Sequence, residues 1–190
     1  MNIGFAMCGS FCTFQSVFPV MEAVAAVHNV IPILSGSSCS IDSRFGTAQS
    51  HLERVQCICG KAPLCTIEEV EPIGPKKLLD ALIVAPCTGN TLAKLAHSIA
   101  DTPVTMAVKS HLRNGRPVLI AVSTNDALAG AAENIGKLLA RKHYFFVPFG
   151  QDDPAKKPTS MVADFSTIPE ALEQALAGKQ MQPVILSPQD

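Results

Sequence analysis

The chain has 190 residues, of which 47% are hydrophobic and 16% are charged, and its formal net charge is −1 at pH 7. The apolar content excludes a disordered chain, and the balanced charge argues against a protein that binds duplex nucleic acid through a basic face. The sequence has no run of about 18 apolar residues, so it does not predict a helix that crosses a membrane. The first residues lack the basic segment of a signal peptide, so we expect a cytoplasmic protein.

Five short runs are continuously apolar, which is typical of parallel strands that are covered on both faces. They span residues 3–8, 30–34, 81–85, 117–122 and 144–147. The segments between them carry apolar residues at helical spacing. This alternation predicts an α/β fold with three α/β/α layers and a doubly wound parallel sheet, which is a Rossmann-like arrangement.

The domain organisation follows from the end of this pattern. We predict a single domain over residues 1–178, because Gly178 is placed to close the last helix in a left-handed conformation. Residues 179–190 are predicted to form a C-terminal tail. The tail contains Pro183 and Pro188, and we expect it to be loosely attached.

Small polar residues and glycines follow four of the predicted strands, at residues 9–10, 35–38, 88–91 and 123–126. The carboxyl ends of parallel strands meet at one edge of a sheet, where ligands bind. Backbone N–H groups in such loops favour an anion. For any one loop, helix capping by Ser, Thr, Asn or Asp is the simpler interpretation. The convergence of several loops favours a nucleotide-like ligand.

The loops fit flavin mononucleotide (FMN) better than they fit NAD. Gly9 and Ser10 do not belong to a G-x-G-x-x-G motif, and no acidic residue ends the second strand to hold a ribose. FMN has one phosphate and no second ribose. We expect no metal site, because the seven cysteines form no CxxC pair and no histidines cluster at ligand spacing.

The segment Ala85-Pro86-Cys87-Thr88-Gly89-Asn90-Thr91 and the helical pattern after it resemble the flavin motif of the homo-oligomeric flavoprotein decarboxylases. Those enzymes carry Pro-Ala-Ser-Ala-Asn-Thr, and Gly9-Ser10 is similar to their phosphate loop. A second resemblance, to the dipicolinate synthase B subunits, runs from residue 3 to about residue 183. It is carried by Arg44-Phe45-Gly46, Leu112-Arg113-Asn114, residues 123–128, and Phe149-Gly150-Gln151-Asp152-Asp153-Pro154 with Lys156-Lys157-Pro158.

The resemblance implies a function in sporulation. Together with the A subunit of dipicolinate synthase, a dehydrogenase-like chain that carries NAD(P), a B subunit takes part in oxidising a cyclic dihydro-dicarboxylate from the lysine pathway to pyridine-2,6-dicarboxylate. For this chain the resemblance implies bound FMN and a trimer or larger homo-oligomer, which the low charge and the Ala-rich segment 127–132 also favour. The flavin contacts that it implies are Gly9, Ser10, Ser35, Pro86, Thr88, Asn90 and Thr91.

The decarboxylation machinery of the wider family is incomplete here. The decarboxylases use a histidine soon after the second strand, and the nearby His51 falls in a helical stretch, where a surface or capping role is more common. Asn125 is kept from their Pro-x-Met-Asn-x-x-Met motif, Leu128 replaces the second Met, and no cysteine follows Cys87. Two alternatives stay open: an FMN-dependent decarboxylase of a cysteinyl substrate, and a non-catalytic protein that binds flavin or product and assembles with the dehydrogenase-like chain.

A dicarboxylate substrate requires fixed cations, and arginine holds a carboxylate through two parallel hydrogen bonds. Arg44 follows the second strand, and Lys156 and Lys157 follow the fifth, so we expect all three at the carboxyl edge. Together with Asn125 they are the candidate substrate ligands. Arg113 is expected at the opposite edge, because it precedes the fourth strand.

The candidate catalytic residues are Asn125, Asp152 and Asp153. A carboxylate near the substrate can act as a base. Asp-Asp-Pro is also a common solvated turn, so the same residues have a purely structural interpretation.

Overall fold

A computed structural model describes residues 1–187 of the chain. Five parallel strands form most of the sheet and pair in the order β2-β1-β3-β4-β5. They are β1 (Asn2–Met7), β2 (Asn29–Leu34), β3 (Ala81–Cys87), β4 (Val118–Thr124) and β5 (Tyr144–Phe146). The observed bounds lie within two residues of the predicted runs, and all of β3 is buried.

Two further strands make the sheet mixed rather than wholly parallel. They are β6 (Phe149–Gly150) and β7 (Met161–Ala163). β7 pairs antiparallel with the carboxyl end of β4, and β6 pairs antiparallel with β7. The sequence predicted a parallel sheet, and an antiparallel pair extends it at this end. The antiparallel pair brings the intervening loop, residues 151–160, to the carboxyl edge of the sheet.

Helices flank the sheet and pack in two groups. They are α1 (Phe14–Val27), α2 (Gly36–Ser40), α3 (Ala48–Cys59), α4 (Ile67–Val70), α5 (Gly89–Ala96), α6 (Pro103–Leu112), α7 (Ala132–Leu139) and α8 (Ile168–Leu176). α1 packs against α3 and α8, whereas α5 packs against α6 and α7. Over residues 1–187, no helix is both long and apolar enough to cross a bilayer.

The segment after α8 is bonded to the sheet. Gly178 has a φ of +72° and ends α8 as predicted. The side-chain amide of Gln180 accepts from the Phe146 N–H and donates to the Phe146 carbonyl, both at 2.7 Å. Phe149 also makes two backbone hydrogen bonds with this segment. The expectation of a loosely attached tail is wrong for residues 179–187, and residues 188–190 lie outside the described part of the chain. The boundary between domain and tail stays a prediction.

Candidate functional site

A cavity of about 460 Å³ opens at the carboxyl ends of β1, β3 and β4. This volume lies in the range of about 300–1,000 Å³ that is typical of small-molecule sites. Six residues that the sequence singled out line the cavity: Gly9, Ser10, Thr88, Asn125, Asp152 and Lys157. The fold thus gathers residues from four separate loops into one site.

The loop after β1 is held close to its neighbours. The hydroxyl oxygens of Ser10 and Ser123 lie 2.8 Å apart, which joins this loop to the end of β4. A Cβ at Gly9 would lie 2.9 Å from Ser37 Oγ in α2, so a larger residue at position 9 would require the Ser37 side chain to move. Ser37 Oγ lies 3.1 Å from Ser35 Oγ. Ser35 therefore lies in the neighbouring loop and does not itself line the cavity.

Thr88 immediately precedes α5 and caps its first turn. Thr88 Oγ1 accepts a hydrogen bond from the Thr91 N–H at 3.4 Å. The N–H groups of Gly89 and Asn90 lie too early in α5 to bond within the helix, so they are available to an anion. Asn90 is exposed on this turn. The first turn of α5 therefore presents donors beside the cavity.

Two residues of the same motif are packed inside the protein. Thr91 is buried, and its hydroxyl donates to Cys8 Sγ at 3.3 Å. Burial raises the pKa of Cys8 to about 11 despite that hydrogen bond, so the thiol stays neutral at physiological pH. Pro86 is also buried, follows a cis peptide bond, and accepts the Cys8 N–H through its carbonyl at 3.2 Å. These contacts fix the start of the motif against β1.

The residues of this edge fit FMN. Gly9, Ser10 and Thr88 line the cavity, and the two hydroxyl side chains supply hydrogen-bonding groups there. The N–H groups in the first turn of α5 have no helical partners and therefore suit a phosphate. We refer to these residues with the first turn of α5 as the cradle. Their individual contacts with FMN stay predictions.

The loop 151–160 contributes one ion pair to the cavity. Lys157 Nζ lies 3.1 Å from Asp152 Oδ2. Burial raises the pKa of Asp152, but hydrogen bonds from Ser160 and Lys157 outweigh it, so the pKa is lowered overall. The same pair raises the pKa of Lys157. Both groups are charged at neutral pH, which makes Asp152 a weak base and an effective partner for the lysine.

Asp153 shapes the loop instead of facing the cavity. Its Oδ1 accepts the Lys156 N–H at 3.1 Å, and its carbonyl accepts the Lys157 N–H at 2.7 Å. The loop is also joined to Asn125, whose carbonyl accepts the Thr159 hydroxyl at 2.7 Å. The segment after β4 and the loop 151–160 therefore form one connected wall of the site.

The three predicted cations do not come together. Lys157 lines the cavity, whereas Lys156 is exposed and is not among the lining residues. Arg44 is exposed in the turn between α2 and α3, where its guanidinium carbon lies 4.8 Å from the centroid of the Phe45 ring. A substrate held in this cavity would meet Lys157, whereas Arg44 and Lys156 are not among the residues that line it.

His51 is a core residue, so the expectation of a surface or capping role is wrong. Its side chain is 3% exposed and is surrounded by the rings of Phe11, Phe14 and Phe18 at centroid distances of 4.9–6.2 Å. Burial lowers the pKa of His51, so the ring is neutral. The buried face of α3 (Ala48, His51 and Val55) has helical spacing and could have indicated this position.

Other lining residues were not singled out by the sequence as individual contacts. They are Cys12, Thr13, Ser123, Thr124 and Val162. The polar run 123–126 pointed to two of them. Val162 comes from β7, and a three-residue strand gives no periodic signal. Over residues 1–187 no group of three or more His, Cys, Asp or Glu residues is placed to hold a metal ion.

Comparison with known proteins agrees with this geometry. Residues 1–170 match the protein family described as Flavoprotein. The chain is 42% identical over 186 residues to the B subunit of dipicolinate synthase from Bacillus subtilis (strain 168), which covers 97% of this chain and 93% of that protein. The chain belongs to the flavoprotein family, in the branch of the dipicolinate synthase B subunits. The family predicted from the sequence is confirmed.

Solved structures of flavoproteins share the fold. The crystal structure of the dipicolinate synthase B subunit from Bacillus halodurans C has a TM-score of 0.90 and 40% identity, covering 98% of this chain and 96% of that chain. The FMN-dependent cysteine decarboxylase SpaF has a TM-score of 0.64 and 23% identity, covering 92% and 97%. The α/β flavoprotein fold is therefore confirmed, with the mixed sheet described above.

Proposed function

We propose that this chain acts as the FMN-binding B subunit of a dipicolinate synthase. With a dehydrogenase-like A subunit, it would oxidise a cyclic dihydro-dicarboxylate from the lysine pathway to pyridine-2,6-dicarboxylate during sporulation. One observation carries the proposal: six predicted site residues line a single cavity in a chain that is 42% identical to a B subunit over 97% of its length.

The proposed reaction makes the substrate ring aromatic. It removes two electrons and two protons, as one hydride and one proton. The hydride is accepted by the oxidised NAD(P) that we expect on the dehydrogenase-like chain, and the proton leaves to solvent. FMN, when bound, supplies a second two-electron acceptor beside the substrate.

In this proposal, the residues of this chain bind FMN and orient the substrate. Gly9, Ser10 and Thr88, with the N–H groups of the first turn of α5, hold the phosphate of FMN. Lys157 offers a positive charge to a substrate carboxylate, and Asn125 offers an amide at the same wall. Asp152 keeps Lys157 in place through the 3.1 Å ion pair.

We also propose that the chain forms a homo-oligomer. Several large apolar side chains stay exposed in the single chain, among them Val27 (75% exposed) and Leu128 (51%). Exposed apolar side chains of this size favour an interface when they are grouped. A structurally similar UbiX-like decarboxylase of Escherichia coli O157:H7 is described as dodecameric. Light scattering should report an oligomer, and a monomer at micromolar concentration would contradict this proposal.

Reconstitution tests the function directly. The chain, the dehydrogenase-like chain of a dipicolinate synthase, and the two together are each supplied with the dihydro-dicarboxylate and NAD(P), and formation of pyridine-2,6-dicarboxylate is measured. We expect full activity from the pair with FMN. Equal activity of the dehydrogenase-like chain by itself would show that the proposed function is wrong.

Two further arms separate the alternatives. Full activity of the pair after FMN has been removed would identify a protein that only assembles with the dehydrogenase-like chain. Release of CO₂ from a C-terminal cysteinyl peptide by this chain alone would identify the decarboxylase alternative.

A further inference from the structure

A second cavity, of about 480 Å³, lies apart from the cradle and shares no lining residue with it. It is bounded by the end of α5, the turn that follows, one face of α6 and the start of β5. We call it the α6 groove and define it by Ile99, Val108, Lys109, Leu112, Arg113 and Lys142. Val108, Lys109 and Leu112 share a face of α6 because they are spaced by three and four residues.

The floor of the α6 groove is apolar. Leu95 and Val108 are buried beneath it, and Ile99 is 47% exposed at its side. Tyr144 closes one end, and burial raises its pKa to about 12, so the phenol is neutral at physiological pH. An apolar body placed in the groove would therefore cover apolar surface rather than charge.

The rim of the groove is positively charged and carries no acidic residue. Its four cations are Lys109, Arg113, Arg141 and Lys142. Arg141 is already bonded, because its guanidinium donates to the carbonyls of Leu95 and Ala96 at 3.0 and 2.6 Å. Over residues 1–187 the other three make no salt bridge.

The acidic residue of the adjoining turn does not balance this charge. Asp101 is paired with Lys94 at 2.8 Å. Cations near the end of α6 also suit its dipole, which accounts for Lys109 and Arg113. The dipole does not account for Lys142, which comes from the segment before β5, nor for the apolar floor below all three.

We propose that the α6 groove is a binding site for a small organic anion with an apolar, ring-sized body. The volume lies in the range of small-molecule sites, the floor is apolar, and the lining includes three cations that make no salt bridge. This site is separate from the cradle, so it does not depend on the proposed function. The apolar body contacts the floor while the anionic group meets Lys109, Arg113 and Lys142.

Two fluorescent probes of similar shape test the charge requirement. 8-Anilinonaphthalene-1-sulfonate carries one anionic group, and N-phenyl-1-naphthylamine lacks it. Both are titrated against the full chain, first without FMN and then with FMN at a saturating concentration. We expect the double variant Lys109→Gln/Lys142→Gln to weaken sulfonate binding at least fivefold and to leave the neutral probe unchanged.

The control variant Lys76→Gln/Lys179→Gln removes the same charge from exposed positions outside the groove. It should bind both probes as the native chain does. Ile99→Gln should weaken both probes, because it removes apolar area. Thermal unfolding of each variant checks that the fold is kept.

Three results would overturn the proposal. The first is equal sulfonate affinity in the two lysine double variants. The second is sulfonate binding that disappears once FMN saturates the chain, which would place the sulfonate in the cradle. The third is sulfonate binding that appears only after dilution has dissociated an oligomer of the chain, as followed by light scattering. That result would show that a second copy covers the groove in the oligomer.

Discussion

At the amino edge of the sheet, polar side chains bond to backbone carbonyls, whereas at the carboxyl edge they bond to one another around a cavity. The Arg116 guanidinium donates to the Leu79 carbonyl and lies 3.4 Å from Asp80 Oδ1. The Asn114 amide donates to the Gly74 carbonyl at 3.1 Å. The hydrogen-bonding groups of these side chains already have partners within the protein, and they hold the segment before β3 against the end of α6.

The carboxyl edge leaves its donors available. Ser10 and Ser123 share one hydrogen bond, and Lys157 has a single ion pair with Asp152. The first turn of α5 adds N–H groups without helical partners. Substitutions at the amino edge should therefore lower the free energy of unfolding and leave ligand affinity unchanged. Substitutions at the carboxyl edge should weaken ligand binding and leave the free energy of unfolding nearly unchanged.

The largest predicted change in the free energy of unfolding arises from His111, at the amino edge. Its Nε2 lies 3.1 Å from the Pro117 carbonyl, and burial lowers its pKa to about 4 although that hydrogen bond acts in the opposite direction. In the unfolded chain the pKa is near 6.5. Between these values only the unfolded chain binds the proton. The free energy of unfolding should therefore fall by about 3 kcal/mol as the pH falls from about 6.5 to about 4.

Urea unfolding at several pH values measures this loss, and His111→Gln is the control. Glutamine keeps an N–H donor for the Pro117 carbonyl and does not titrate, so the stability of the variant should depend less on pH. The buried His51 contributes in the same direction in both proteins, because burial lowers its pKa as well. Equal pH dependence of the two proteins would refute the assignment to His111.

The second effect tests packing at the amino edge. A Cβ at Gly74 would lie 2.7 Å from the backbone oxygen of Ser110, which cannot move without shifting α6. Gly74→Ala should lower the free energy of unfolding by about 1–3 kcal/mol and leave FMN affinity unchanged. Gly36→Ala is the matched control, because its Cβ would meet nothing within 4 Å. Equal urea midpoints for the two variants would contradict this prediction.

Much of the fold could be predicted from the sequence, because the five parallel strands are covered on both faces and read as continuous apolar runs. The grouping of the polar loops could also be predicted, because the carboxyl ends of parallel strands lie at one edge of the sheet. β6 and β7 could not, because strands of two and three residues carry no periodicity. The loop 151–160 was expected at the carboxyl edge, but the antiparallel pair that holds it there was not predicted.

Side-chain direction was the second obstacle. The resemblance placed Thr91 in the flavin motif but could not show that its hydroxyl turns inward to Cys8. Spacing placed His51 on α3 but did not reveal the three aromatic rings around it. Arg44 follows β2 as predicted, yet the turn between α2 and α3 carries its side chain over Phe45. Position along the chain determined the edge, and local packing determined the contacts.

The third effect concerns the carboxyl edge. Lys156→Ala/Lys157→Ala should leave folding nearly unchanged, because both lysines are exposed. If the loop 151–160 holds the substrate, dipicolinate formation by the reconstituted pair should fall tenfold or more, about 1.4 kcal/mol. Lys157→Ala alone should reproduce the loss, and Lys156→Ala should serve as its control, because only Lys157 lines the cavity. If the double variant keeps native activity and native association with the dehydrogenase-like chain, the loop 151–160 only connects β6 to β7 and does not bind substrate.

The smallest effect separates binding from stability at one residue. Asn90→Asp puts a negative charge beside the phosphate position of the cradle and should weaken FMN binding by at least about 1 kcal/mol, roughly fivefold in Kd. The same charge lies in the first turn of α5, where it suits the helix dipole, so the urea midpoint should stay or rise. Asn134→Asp makes the matching change in the first turn of α7, away from the cavity, and should leave FMN binding unchanged. Calorimetry with FMN measures both variants, and equal affinities would remove Asn90 from the cradle.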